Sequence, residues 1–124
     1  MTVLPMTHKN PLAVLIASLF VVPVASACEY PERAEMANGM TATKEEMVAS
    51  QRSVKAYITA MEDYLACIEA EESDAVDALN EPDEDTLAQR KTVFNKKYNA
   101  AVDEMQLVAA EFNEQVRAYK GRDE

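Results

Sequence analysis

Beyond residue 27 this chain has no histidine, and tryptophan is missing throughout. The single imidazole, His8, falls in a first segment that also holds one base, Lys9, and no acid. The remaining 97 residues therefore exclude Ser-His-Asp and Cys-His nucleophile arrangements, Glu-x-x-His di-iron sites and zinc-protease motifs. Glycine is nearly absent as well. Gly39 and Gly121 are the only two, too few for a phosphate-cradling loop, and neither a G-x-S-x-G turn nor a C-x-x-C-H haem motif occurs. Positive charge is scarce: 11 of the 12 Lys+Arg face all 22 Asp+Glu after residue 27, a formal charge of −11. A phosphate backbone would be repelled, so nucleic acid is excluded as a partner. These absences leave no catalytic, cofactor-binding or metal-binding residue to assign, and the chain is expected not to be an enzyme.

Residues 1–27 have the pattern of a signal peptide: a weakly basic start, an apolar run from Pro11 to Val22, then Pro23-Val-Ala-Ser-Ala27. The run is about 12 residues, short of the roughly 20 that a membrane-spanning helix needs. Ala25 and Ala27 flank Ser26 in the small-x-small arrangement that a signal peptidase accepts, so cleavage is expected before Cys28 and the mature chain is expected in an extracytoplasmic, periplasmic space. Two fates are open to Cys28. Ala25-Ser26-Ala27-Cys28 is also a lipobox-like sequence, which would make the protein an outer-membrane lipoprotein and its membrane contact a lipid at Cys28. In an oxidising compartment the simpler pairing is a disulfide between Cys28 and Cys67, the only two cysteines.

Residues 28–42 contain Pro31 and Gly39 without a sustained period and read as an extended strap, compatible with a turn of helix around Arg33–Met36. The character changes at Thr43-Lys44-Glu45-Glu46, a capping box that starts a helix. Met47, Val54, Met61, Ile68 and Ala75 then recur by seven, with Ile58, Leu65 and Leu79 four residues on and Tyr57 and Tyr64 widening the face. This is one amphipathic helix over about residues 43–79, ended by Asn80-Glu81-Pro82, with Asn80 suited to the left-handed closing position. Pro82 suits the first turn of a second helix, 82–120, whose start is acidic at Asp83-Glu84-Asp85. Its apolar rows are Leu87, Phe94, Ala101, Val108 and Tyr98, Met105, Phe112, Tyr119, and Gly121 can cap it ahead of a short tail, 121–124.

Two long helices joined by so short a link must lie antiparallel, so the fold class is all-α, a helical hairpin with an extended N-terminal strap. Residues whose numbers sum to about 163 then face each other, setting Arg90 and Lys91 beside Glu71 and Glu72, and Arg117 and Lys120 beside Glu45 and Glu46. Cys67 lies ~36 Å along the first helix, within reach of a 15-residue strap that spans ~50 Å when extended. Closing that loop of about 40 residues would stabilise the fold by roughly 4 kcal/mol in the chain-entropy model.

Two cation readings stand beside this frame. Met36, Met40 and Met47 offer thioethers of the kind that bind Cu(I). The stretch Glu62–Asp85 holds eleven acids and no base, which suits weak Ca²⁺ binding or a basic partner, although the calcium-loop pattern with its central glycine is missing. A solvated helix face accounts for most of those acids, and Met47 and Met61 fall on the core row. Two helices alone cover only part of each other's apolar face, so a homodimer or a protein partner seated on the rest is expected.

The segments Thr41-Ala-Thr-Lys-Glu-Glu-Met47, Val54-Lys-Ala-Tyr57, Tyr64-Leu-Ala-Cys67, Tyr98-Asn-Ala-Ala-Val-Asp-Glu-Met105 and Phe112-Asn-Glu-Gln-Val-Arg117 resemble a group of small exported bacterial proteins of unknown function. The resemblance spans most of the mature chain and implies no activity. The expectation is an exported, non-enzymatic interaction or structural module of the cell envelope, with lipid anchoring and cation binding as the alternatives.

Overall fold

A helix begins where a side chain can satisfy the backbone N–H groups that have no partner in the first turn, and Thr43 does so here. In the computed structural model, which describes residues 27–122, the Glu46 N–H donates to Thr43 Oγ1 at 3.2 Å while the Thr43 N–H donates to Glu46 Oε2 at 2.7 Å. The reciprocal box opens helix α1, Lys44–Asp77. Helix α2, Glu84–Gly121, packs back against it, and the described chain is all-helical apart from the strap and turns. The signal-peptide reading falls, but for Ala27, outside the described residues.

The link departs from the expected boundaries for identifiable reasons. Helix α1 closes at Ala78, whose N–H still reaches Asp74 O, and the left-handed residue is Glu81 (φ 49°), not Asn80. A residue before proline is driven out of the right-handed helical region, so α1 cannot run on through Glu81. Pro82 stays outside α2. The N-cap is Asp83, whose carboxylate accepts from the Thr86 N–H at 2.7 Å, a strong cap that proline cannot provide. At the far end α2 continues through Gly121, with Arg122 as its right-handed cap, so neither residue belongs to a free tail.

The core is the shared face of the two helices. Met61, Ile68 and Val108 are fully buried, with Val54, Tyr57, Tyr64, Leu65 and Ala101 around them. Each large side chain removed from water there contributes about 1.5–3 kcal/mol. The antiparallel register matches the expected sum: Arg90 clasps Glu72 with two hydrogen bonds of 3.1 and 2.8 Å. Met47, Val48 and Gln51 of α1 share a surface hollow with Phe112, Val116 and Tyr119 of α2. The other charge pairs expected from the register are replaced. Glu46 is turned back onto Thr43, and Glu71 accepts from the strap, so among the described residues neither meets a base.

The strap lies in one of the two grooves that run along the hairpin, antiparallel to α1 and parallel to α2. Cys28 is bonded to Cys67, with their Cα atoms 5.8 Å apart. Further along, Tyr30 meets Tyr64 edge-on at 5.0 Å and the Ala37 N–H donates to Ser50 Oγ at 2.6 Å. The helical turn compatible with Arg33–Met36 does not form: these residues stay extended, since Arg33 must reach across to α2.

Candidate functional site

The groove that the strap fills is built from four contacts, each tied to a different element. The first is the disulfide. Cys67 and Glu71 are one turn apart on α1 and so share a face. Cys28 is held there twice, through its sulfur by Cys67 and through its nitrogen, which donates to Glu71 Oε1 at 3.0 Å. The two sulfurs and a Glu71 oxygen lie within 4.8 Å of one another, a spacing that would suit a metal if the thiolates were free. They are not, since each sulfur is spent on the other.

The second contact is ionic. Arg33, the only base between Cys28 and Thr43, donates through Nε to Glu104 and through Nη2 to Glu111, both at 2.7 Å. Those acids are one heptad apart on α2 and form a fork around the guanidinium. Donating first to Glu104 and then to Glu111 holds Arg33 protonated even more firmly than usual.

The third is Tyr57, buried where the strap crosses α1, with its ring 4% exposed. Its hydroxyl has no partner in hydrogen-bonding geometry. Loss of water pushes its pKa up to about 12, and the nearby Tyr30 adds to the shift.

The fourth contact closes the strap at its end. The Gly39 N–H donates to Gln115 Oε1 at 2.9 Å, and the strap backbone passes so close to α2 that a Cβ on Gly39 would collide with the Gln115 carbonyl and come within 2.9 Å of Tyr119 N. Arg122 reaches back from the end of α2, donating to Ala42 O at 2.6 Å and lying over the Tyr119 ring at 4.3 Å. An Asn38 turn, with Thr41 and Ala42 N–H groups on its carbonyl, then leads into α1.

The opposite groove has no such cover among the described residues. Met47, Val48 and Gln51 of α1 line a hollow there with Phe112, Val116 and Tyr119 of α2, and Ile58 and Val102 are partly buried against the core. Val48 stands at its rim, 37% exposed.

The cation candidates are scattered by the fold. Met47 is buried and Met36 packs against the core, while Met40 is 60% exposed. In the acidic stretch, Glu71, Glu72 and Asp83 are occupied by Cys28, Arg90 and Thr86. Hydrogen bonds from Thr86, the backbone one first, hold Asp83 below its ordinary pKa.

Sequence reasoning located Cys28 and Cys67 but missed the Arg33 fork, the Gly39 crossing and the Arg122 clasp. The fork left a trace, a lone base in the strap and two acids spaced by seven. Gly39 and Arg122 left none, because close backbone approach has no periodicity. Comparison with protein-family models, with curated proteins and with solved structures finds no match.

Proposed function

We propose that this is an exported, non-enzymatic module of the cell envelope, resident in the periplasmic space, that works by docking a helical surface into its uncovered groove. One observation carries the reading: the strap covers one side of the hairpin, and away from it Ile58 of α1 and the row Val102, Phe112 and Val116 of α2 stay only partly buried. Two such rows brought face to face make a four-helix arrangement, so a second copy of the chain meets the requirement. The lack of histidine after residue 27 and the signal-like first segment support the non-enzymatic and exported parts. The Cys28–Cys67 bond favours a disulfide-stapled protein over a lipoprotein, which would need the Cys28 sulfur. Among the described residues no helix is long and apolar enough to cross a membrane.

The test is sedimentation of the oxidised protein, combined with photocrosslinkers at positions 58 and 102 in the producing cell. Association that Ile58→Glu abolishes, or crosslinks at 58 and 102 that a control at Glu35 does not give, supports the reading. A strict monomer at high micromolar concentration with silent crosslinkers at both positions removes it.

A further inference from the structure

The nitrogen of Cys28 sits where a positive charge would be most useful. It donates to the carboxylate of Glu71 at 3.0 Å, inside a stretch, Glu62–Asp85, of eleven acids and no base. Of the bases of α2 on this side, Arg90 is bonded to Glu72, Lys97 lies over the Tyr64 ring at 5.7 Å, and Lys91 forms no ion pair with Glu71. Among the described residues no lysine or arginine reaches Glu71. An amide N–H supplies a hydrogen bond to that carboxylate but no charge. An α-amino group at the same atom would supply both, and charge-assisted hydrogen bonds are roughly twice as strong as neutral ones.

We propose that Cys28 is the first residue of the working protein and that its α-ammonium is a built-in counter-ion for Glu71. The inference rests on the export reading above, including its cut before Cys28, and adds the purpose of the new terminus. Hydrolysis of the Ala27–Cys28 peptide bond consumes one water. The Ala27 carbonyl carbon takes the hydroxyl, and the Cys28 nitrogen, whose amine form has an ordinary pKa near 8, takes protons to become an ammonium at neutral pH. The small residues Ala25 and Ala27 place the bond in the frame that an export peptidase accepts, and Ala27 is exposed. The disulfide fixes the register: with its sulfur bonded to Cys67, Cys28 can present its nitrogen only to the next turn of α1, where Glu71 stands. A terminus at any other residue would leave the charge on a free end away from that carboxylate. Lipidation would use the sulfur and acylate the nitrogen, removing the charge.

The experiment uses the full gene product, recovered from the compartment to which the cell delivers it, as wild type and as Glu71→Gln. Intact mass is measured first, and the oxidised proteins are then pulsed with a small acetylating reagent at pH 7 and mapped at Cys28. The expected result is a mass beginning at Cys28 with both thiols oxidised. The α-amine should react about two to five times more slowly in wild type than in Glu71→Gln, the range set by an exposed ion pair. That difference should vanish in 1 M salt, which screens the pair and leaves a neutral hydrogen bond untouched. A mass that begins elsewhere in the mature chain, or that carries acyl chains on Cys28, overturns the proposal. Equal labelling rates in the two proteins, or a difference that survives 1 M salt, also overturn it. A mass retaining residues 1–27 overturns it together with the export reading, which separates the two failures.

Discussion

The two glycines of this chain should respond oppositely to the same substitution. Gly39 needs no special backbone angle, since no glycine has a positive φ. Its constraint is space: an added Cβ meets the Gln115 carbonyl carbon and the Tyr119 nitrogen at 2.9 Å, and the Gln115 oxygen closer still. All three are helix backbone, which cannot rotate aside as a side chain does, so the strap must lift. Lifting breaks the Gly39 N–H bond to Gln115 and pulls the buried Ala42 and its carbonyl away from Arg122. Overpacking of this kind costs about 1–3 kcal/mol and each lost hydrogen bond about 1 kcal/mol, so Gly39→Ala should lose about 3 kcal/mol. At Gly121 nothing lies within 4 Å of the added Cβ and the residue is helical. There Gly121→Ala should gain roughly 0.5–1 kcal/mol from helix propensity and reduced unfolded-state entropy. Urea titration followed by helical circular dichroism reads both. With a slope of about 1.5 kcal/mol/M the midpoints should move down by about 2 M and up by about 0.5 M. Amide exchange at Ala37 and Gly39 should accelerate in Gly39→Ala alone. The reasoning fails if Gly39→Ala moves the midpoint by less than about 0.5 M, or if both variants shift the same way.

Reduction of Cys28–Cys67, separated by 39 residues, should lower stability by about 4 kcal/mol. A urea midpoint that a reductant lowers by under 1 M would contradict this. Tyr57→Phe deletes a buried hydroxyl that has no partner, so it should stabilise by about 1 kcal/mol and raise the melting temperature by roughly 4–6 °C; a drop would show that the hydroxyl is bonded after all. Acid should weaken both helix starts. Hydrogen bonds at Thr43 and Thr86, the backbone ones first, hold Glu46 and Asp83 below their ordinary values of 4.5 and 3.8. Their contribution is therefore complete at neutral pH and is lost as pH falls below those values. The Glu46→Gln, Asp83→Asn protein keeps both caps without their titration, so its melting temperature should fall less steeply between pH 4.5 and pH 2.5 than that of wild type.

What the sequence made legible follows from periodicity. Rows spaced by seven set Met47, Val54, Met61 and Ile68 against Ala101 and Val108, and a short link forced the antiparallel register that Arg90 and Glu72 display. A capping box announced α1 at Thr43 within one residue. The link was less legible because three local preferences compete over Asn80–Asp83, and the left-handed residue falls at Glu81 rather than Asn80. The strap's path beyond its disulfide was not legible at all. It depends on tertiary contacts of Arg33, Gly39 and Arg122 with residues more than 70 positions away.

The disulfide also gives the molecule a mechanical axis. Cys28 is joined to α1 24 residues beyond Thr43, which is ~36 Å along the helix from the end where Arg122 sits. A tether at Cys28 and another at Arg122 would therefore hold opposite ends of a rod. Tension between them would bypass the strap, since the Cys28–Cys67 bond carries it directly into α1. The two helices would then be loaded in shear along their whole contact, with Met61, Ile68, Ala101 and Val108 resisting together rather than peeling one pair at a time.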